Sequence, residues 1–115
     1  MLRKNEEMTI EVRERMRGGV GEIQIKNLFQ DGDLKGKTRL VAEITIPVGG
    51  SIGFHQHDQE EEIFYFVSGM GRVKDQDEWK EINIGDALVT GGGKGHSVEN
   101  IGNVPLVLMA VILVY

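Results

Sequence analysis

Short runs of alternating apolar and polar residues fill most of the chain and predict an all-β fold. Glycines separate these runs, and no window of about a dozen residues beyond Gly18 keeps the period of a helix. The pattern predicts strands at residues 20–29, 39–47, 53–57, 61–68, 71–74, 79–84, 87–90, 96–100 and 106–115. Strands this short and this evenly spaced are typical of a β-sandwich or a β-barrel.

The alternation also assigns a face to the second of these strands. In RLVAEITIP, every second residue is apolar, so Leu40, Ala42, Ile44 and Ile46 share one side of the strand. We expect this side to face the core.

The last strand differs because PLVLMAVILVY is apolar at every position. A strand of this kind is covered on both faces, one by the core and the other by a further layer. A second copy of the chain is the simplest cover, so we expect a homodimer.

The N-terminal segment EEMTIEVRERMRGG fits two structures. Met8, Ile10 and Val12 alternate as in a strand, whereas residues 11–17 also fit a helical turn. Residues 1–18 are therefore predicted to form an arm or an edge strand, and residues 19–115 a single barrel domain. No internal repeat, Pro-rich linker or low-complexity tract marks a second domain.

Composition narrows the range of partners. A chain of 115 residues can bury a core without disulfides, and the absence of cysteine requires that any metal be bound by nitrogen and oxygen. The net charge of −5, with scattered basic residues, argues against nucleic acid as a partner. The N-terminus lacks an apolar leader, and the longest apolar run is about half the ~20 residues of a membrane-spanning helix. We expect no membrane partner and a cytoplasmic protein.

The stretch GFHQHDQEEEIFYF contains the first candidate chemistry. In a strand, His55 and His57 place both imidazoles on one face, within reach of one ion. Glu62 has the parity of Phe64 and Phe66, which are predicted to wall the same pocket. An inward carboxylate beside two phenylalanines needs a partner, and a cation would supply one.

The third histidine, His96, follows on another predicted strand, with Asn100 on the same face, and it can complete the site from across the barrel. An isolated histidine pair such as His55 and His57 is more often a satisfied polar pair than a metal site. The two interpretations stay open on these residues alone.

The polar residues around the histidines are predicted to lie in turns rather than in the site. Residues 58–61 are predicted to form the turn between two strands, with Glu60 and Glu61 in solvent. The segment TGGGKG lacks the spacing of a phosphate-binding loop and predicts a tight turn. Lys94 in this turn is expected either to be an exposed loop residue or to attract an anionic ligand.

The whole pattern resembles the cupin family of small jelly-roll barrels. The first cupin motif, G(X)5HXH(X)3–4E(X)6G, is matched at Gly49, His55, His57, Glu62 and Gly69. The second, G(X)5PXG(X)2H(X)3N, is matched at Gly85, Gly93, His96 and Asn100, with Gly91 in place of the proline. The spacing selects Glu62 rather than Glu61.

The resemblance implies a single-domain cupin jelly roll that holds one divalent metal ion near the mouth of the barrel. It implies four metal ligands, His55, His57, Glu62 and His96. Three imidazoles and one carboxylate suit manganese, iron, nickel, cobalt or zinc, whereas magnesium and calcium prefer more oxygen ligands.

Two functions fit such a site. The first is a metal-dependent enzyme, such as a decarboxylase, oxygenase or isomerase, that acts on a small dicarboxylate, diketone, hydroxy acid or sugar derivative. Resemblance to oxalate decarboxylases supports this only as a fold-level analogy. The second is a non-catalytic protein that binds or senses a small anionic or oxygenated ligand in the same metal pocket. The sequence identifies no catalytic proton-transfer residue.

Overall fold

The computed structural model describes residues 1–30 and 32–115, and its regular structure is almost entirely antiparallel β-sheet. The strands are β1 (Thr9–Glu14), β2 (Glu22–Phe29), β3 (Thr38–Ile46), β4 (Ser51–Gln56), β5 (Glu60–Ser68), β6 (Gly71–Asp75), β7 (Glu78–Ile82), β8 (Ala87–Gly91), β9 (Gly95–Asn100) and β10 (Leu106–Val114). Two 3₁₀ turns, Asn5–Glu7 and Met16–Gly18, lie on either side of β1. Every predicted strand is present, with its ends shifted by no more than two residues.

The strands form two sheets that share one core. One sheet has the order β1-β2-β3-β10-β5-β8 and the other the order β4-β9-β6-β7. Both sheets contribute to a single cluster of buried apolar side chains, among them Ile44, Phe66 and Leu108 from the first and Ile52 and Val98 from the second. The predicted all-β, single-domain jelly roll is confirmed.

The predicted faces of β3 and β10 agree with the burial of their side chains. Ala42, Ile44 and Ile46 are buried, and Leu40 is half-buried against the core. Along β10, alternate residues from Leu106 to Ile112 are buried, and the residues between them are half-buried on the outer face. Within one chain, this outer face has no second layer over it in residues 1–30 and 32–115.

The N-terminal segment is built into the barrel. β1 pairs with β2 at the edge of the larger sheet, and the 3₁₀ turn after β1 lies against β4. A Cβ atom at Gly53 would collide with the carbonyl oxygen of Arg17, and one at Gly19 would collide with that of Ser51. Glycine at these two positions lets the backbones approach and seats the turn beside the strand that carries His55.

Helical structure in the described residues is limited to the two 3₁₀ turns. Neither turn is long and apolar enough to cross a membrane. The cytoplasmic location stays a prediction.

Candidate metal centre

The strand pairing brings the three histidines and Glu62 together between the sheets. β4 pairs with β9 so that His55 lies directly opposite His96, and His57 follows one residue after the end of β4. Glu62 comes from β5 in the other sheet. His57, His96 and Glu62 are at least 96% buried, with 2%, 1% and 4% of their surfaces exposed.

The donor atoms of these residues converge on one point. The Nε2 atom of His96 lies 3.1 Å from that of His57 and 3.2 Å from that of His55. The Oε1 atom of Glu62 lies 3.0 Å from the Nε2 atoms of both His57 and His96. All four donor atoms lie within 4.8 Å of one another. Two ligands at right angles on an ion with bonds of about 2.1 Å are about 3 Å apart, so the cluster fits one divalent metal ion.

Hydrogen bonds on the far side of the imidazole rings aim the Nε2 lone pairs at this point. The Nδ1–H group of His55 donates to the carbonyl oxygen of Gly53 at 2.7 Å, and that of His57 donates to the carboxylate of Glu60 at 2.6 Å. A carbonyl and an ionised carboxylate only accept, so the proton of each neutral ring belongs on Nδ1. The Nε2 atoms are then free of protons and able to bind a metal ion, as in the usual arrangement of histidines around a metal.

His96 is held by a hydroxyl group and an aromatic ring. Its Nδ1 atom lies 2.8 Å from Oγ1 of Thr90, and its ring stacks on Phe64 with 4.8 Å between centroids. Phe64 therefore walls the pocket, as predicted. Phe66 does not, because it packs into the core 6.1 Å behind Phe64 and is not among the residues that line the cavity.

The electrostatics of the cluster favour a bound cation. Burial lowers the pKa of His55 to about 4, so its ring is neutral at neutral pH. Burial alone would raise the pKa of Glu62, but its contacts with the Nε2 atoms of His57 and His96 outweigh burial and lower the pKa. The same contact with Glu62 raises the pKa of His57. A carboxylate surrounded by three inward nitrogen atoms thus requires either a shared proton or a metal ion at its centre.

Glu60 corrects the sequence analysis, which placed it in a solvated turn. β5 begins at Glu60, and only 13% of its side chain is exposed. Arg39 donates to both carboxylate oxygens, at 2.7 and 2.8 Å, and these bonds lower the pKa of Glu60 to about 2. Glu60 is therefore ionised and bridges Arg39 to the ring of His57.

The remaining sequence candidates lie outside the cluster. Asn100 donates to the carbonyl oxygens of Ile46 and Val104, at 3.0 and 2.9 Å, and so fixes the loop before β10 rather than the site. Lys94 is exposed in the turn between β8 and β9. Gly91, which stands in place of the motif's proline, ends β8, and this position is tightly packed because an added Cβ atom would collide with Glu61.

A cavity of about 150 Å³ opens from the cluster, and the N-terminal segment forms one of its walls. His55, His57 and Glu62 lie among its lining residues. The N-terminal segment contributes a further set, which sequence analysis missed: Glu11, Arg13, Met16 and Arg17. The available signal was the alternation of β1, in which the charged positions face the cavity whereas Ile10 and Val12 are more than half exposed.

Comparisons with known proteins agree with this architecture. A family model described as a cupin domain matches residues 42–112, more than half of the chain. An oxalate-binding protein of Thermotoga maritima is 38% identical over 113 residues, which cover 98% of this chain and 93% of the relative.

Solved structures show the same fold. The crystal structure of a predicted oxalate decarboxylase from Thermotoga maritima superposes with a TM-score of 0.94 and 37% identity, over all of both chains. A polyketide cyclase from Streptomyces resistomycificus has a TM-score of 0.78 at 19% identity, over 99% of this chain and 80% of its own. The second likeness extends to the fold alone.

Proposed function

The chain belongs to the cupin domain family, and from this premise we propose that it binds one divalent metal ion and, through the ion, a small dicarboxylate of the oxalate type. The metal ligands in this proposal are His55, His57, Glu62 and His96. The observation that carries it is the convergence of three Nε2 atoms and one carboxylate oxygen at the floor of a cavity. When bound, the metal would supply positive charge and coordination positions for the oxygen atoms of the ligand.

The separations of the donor atoms bear on the identity of the metal. Tetrahedral ligands on bonds of about 2.1 Å are about 3.4 Å apart, whereas ligands at right angles are about 3 Å apart. Four of the six separations in the cluster, at 3.0 to 3.2 Å, are closer to right angles, and all six are within 4.8 Å. Manganese, iron, cobalt and nickel therefore fit the proposal better than zinc, which prefers tetrahedral sites.

The cavity supports a small anionic ligand. Its volume of about 150 Å³ is below the ~300–1,000 Å³ of pockets that hold drug-sized molecules. Three arginines, Arg13, Arg17 and Arg39, line it, and guanidinium groups bind carboxylates in a two-pronged geometry. The relative from Thermotoga maritima that is named for oxalate binding supports the same ligand class.

The carboxyl groups that line the cavity favour binding over turnover. Decarboxylation delivers a proton to carbon, and the donor is usually a side chain whose pKa is tuned toward neutrality. Hydrogen bonds from Asn27 and Arg13 instead lower the pKa of Glu11, and Glu62 also has a lowered pKa. Among the described lining residues, no carboxyl group has a raised pKa. A protein that binds or senses a dicarboxylate is therefore the function we propose.

The test starts with metal content and then measures ligand binding. Purified protein is analysed for metals, loaded with Mn²⁺ and titrated with oxalate by calorimetry, while release of CO₂ is monitored. We expect one metal ion per chain, saturable binding and no turnover. Release of CO₂ would show that the protein is a decarboxylase and would refute the binding function. The His55→Ala/His57→Ala variant should fold but load no metal, and one equivalent of metal in this variant would refute the ligand assignment.

The proposal includes a homodimer formed through the outer face of the larger sheet. The registers align four apolar residues in one row across β3, β10, β5 and β8: Val41, Val111, Ile63 and Val89. Of these, Ile63 and Val89 are 38% and 62% exposed. Ile63→Lys should convert a dimer into a monomer in sedimentation analysis. Ile84→Lys, at a 66% exposed position outside the strands, should leave the mass unchanged. A monomeric wild-type protein would refute the dimer.

A further inference from the structure

The 3₁₀ turn Met16–Gly18 keeps arginine in a backbone conformation that favours glycine. Arg15 has a φ angle of 51° and Arg17 one of 56°, both in the left-handed region. Residues with side chains pay free energy for this conformation, and it persists where surrounding contacts impose it, often at ligand sites. Here the backbone N–H of Arg15 bonds to the carbonyl oxygen of Gly21 at 3.0 Å, which closes the loop around the turn.

The turn is also fixed to the strand that carries the metal-binding residues. Val20 and Ser51 exchange two backbone hydrogen bonds, at 3.2 and 2.8 Å. The carbonyl oxygen of Arg17 lies against Gly53, whose own carbonyl oxygen accepts the Nδ1–H of His55. Gly53 therefore links Arg17 to the candidate metal ligand His55, and Arg17 is also among the residues that line the cavity.

The charges of the three cavity arginines are not equally available. Arg13 pairs with Glu11 at 3.1 Å, and Arg39 pairs with Glu60 through two hydrogen bonds. Arg17 forms no ion pair with any carboxylate of residues 1–30 and 32–115. Among the three arginines that line the cavity, Arg17 is therefore the one whose positive charge is not neutralised by a carboxylate of the described residues.

The geometry points to Arg17 as the residue that selects dicarboxylates over monocarboxylates in this cavity. A dicarboxylate that chelates an ion through one oxygen of each carboxylate presents its two other oxygens away from the ion. A guanidinium group offers two parallel N–H donors that match such a pair of oxygens. The inference rests on the proposed function, because it takes the dicarboxylate to be held at the cluster of His55, His57, Glu62 and His96.

The test compares two ligands and two arginines of the same turn. Mn²⁺-loaded protein is titrated calorimetrically with oxalate and with glycolate, which replaces one carboxylate by a hydroxymethyl group. Arg17→Gln should weaken oxalate binding on the order of 10- to 100-fold, the loss expected for a hydrogen bond between charged groups, and should change glycolate binding less. Arg15→Gln is the matched control, since Arg15 has the same backbone conformation but does not line the cavity.

The outcomes separate this inference from the proposed function. Wild-type protein that binds Mn²⁺ but no oxalate would overturn both. Oxalate binding that is equal in wild-type protein and Arg17→Gln would overturn the role of Arg17 alone. An equal loss in Arg15→Gln would also overturn it, because the turn rather than the guanidinium group would then be responsible. If Arg17→Gln fails to fold, Arg17→Lys keeps the charge without the two-pronged geometry and should show a smaller loss of the same selectivity.

Discussion

Replacing Glu60 by glutamine should weaken metal binding although Glu60 is not one of the proposed metal ligands. The carboxylate of Glu60 accepts the Nδ1–H of His57 at 2.6 Å and is held by two bonds from Arg39. The ionised form makes the Nε2 atom of His57 a stronger donor and fixes the direction of the ring. Glutamine has a similar shape, but it carries no charge and places an NH₂ group against Arg39 or against His57.

The size of the effect follows from the kind of bond that is lost. A hydrogen bond to a charged group contributes about 1.5–3 kcal/mol, and every ~1.4 kcal/mol is tenfold in affinity. Glu60→Gln should therefore weaken metal binding on the order of 10- to 100-fold, the range found for such partners of metal-bound histidines. Arg39 acts through Glu60, so Arg39→Gln should add little to the loss when combined with Glu60→Gln.

The assay is a competition for Mn²⁺ or Co²⁺ between the protein and a fluorescent chelator at neutral pH. Glu61→Gln is the matched control, because it removes the neighbouring carboxylate on the same strand, which forms no ion pair with a described histidine. Glu60→Gln with the affinity of wild-type protein would refute the role of Glu60. Equal losses in the two variants would show that the general negative charge near the site, rather than the bond to His57, attracts the metal.

Further predictions concern stability. Gly53→Ala should destabilise the fold by about 1–3 kcal/mol in chemical denaturation, because its methyl group would collide with the carbonyl oxygen of Arg17. Gly36→Ala, where an added Cβ atom meets no described atom within 4 Å, should change stability little, and equal effects would contradict the close approach. Asn100→Ala should cost about 1–3 kcal/mol by removing two bonds to backbone carbonyl groups, yet leave metal affinity unchanged, since Asn100 lies outside the cluster. The pKa of Glu60 falls from 4.5 to about 2 on folding, so its stabilisation is present above pH 4.5 and is lost as the pH falls toward 2. Metal-free Glu60→Gln should therefore lose less stability than wild-type protein over this range, and equal losses would contradict the assignment.

The candidate ligands could be found from the sequence because their spacing is set by local turns. The four glycines of the two motifs, Gly49, Gly69, Gly85 and Gly93, all have φ angles between 76° and 92°. A residue with a side chain rarely adopts such angles, so each glycine marks a fixed point in the chain. Strand alternation between these points then determines which of the histidines and glutamates face inward.

The supporting residues could not be found in the same way, since they depend on contacts between distant strands. Arg39 and Glu60 are 21 residues apart and meet across the end of β10, which lies between their strands β3 and β5. Glu60 lies one residue before the predicted start of its strand. Because of this small error in the strand boundary, the sequence analysis placed in solvent a residue that is largely buried and bonded to His57. The ends of strands are the least certain part of a prediction from sequence pattern. Glu60 and Arg39, which support His57, both lie near the ends of their strands.

The effects of Glu60 and of Arg17 on the site should be independent, because the two residues contact different parts of it. Glu60, which Arg39 holds in place, acts on the Nδ1 side of the His57 ring, opposite the Nε2 atom, and should control how tightly the ion is held. Arg17 lies on the cavity side, against Gly53, and should control which ligand joins the ion. Glu60→Gln should then lower metal affinity without changing the preference for oxalate over glycolate once the site is saturated with metal. Arg17→Gln should do the reverse, and a variant that changed both properties together would show that the two residues belong to one coupled network.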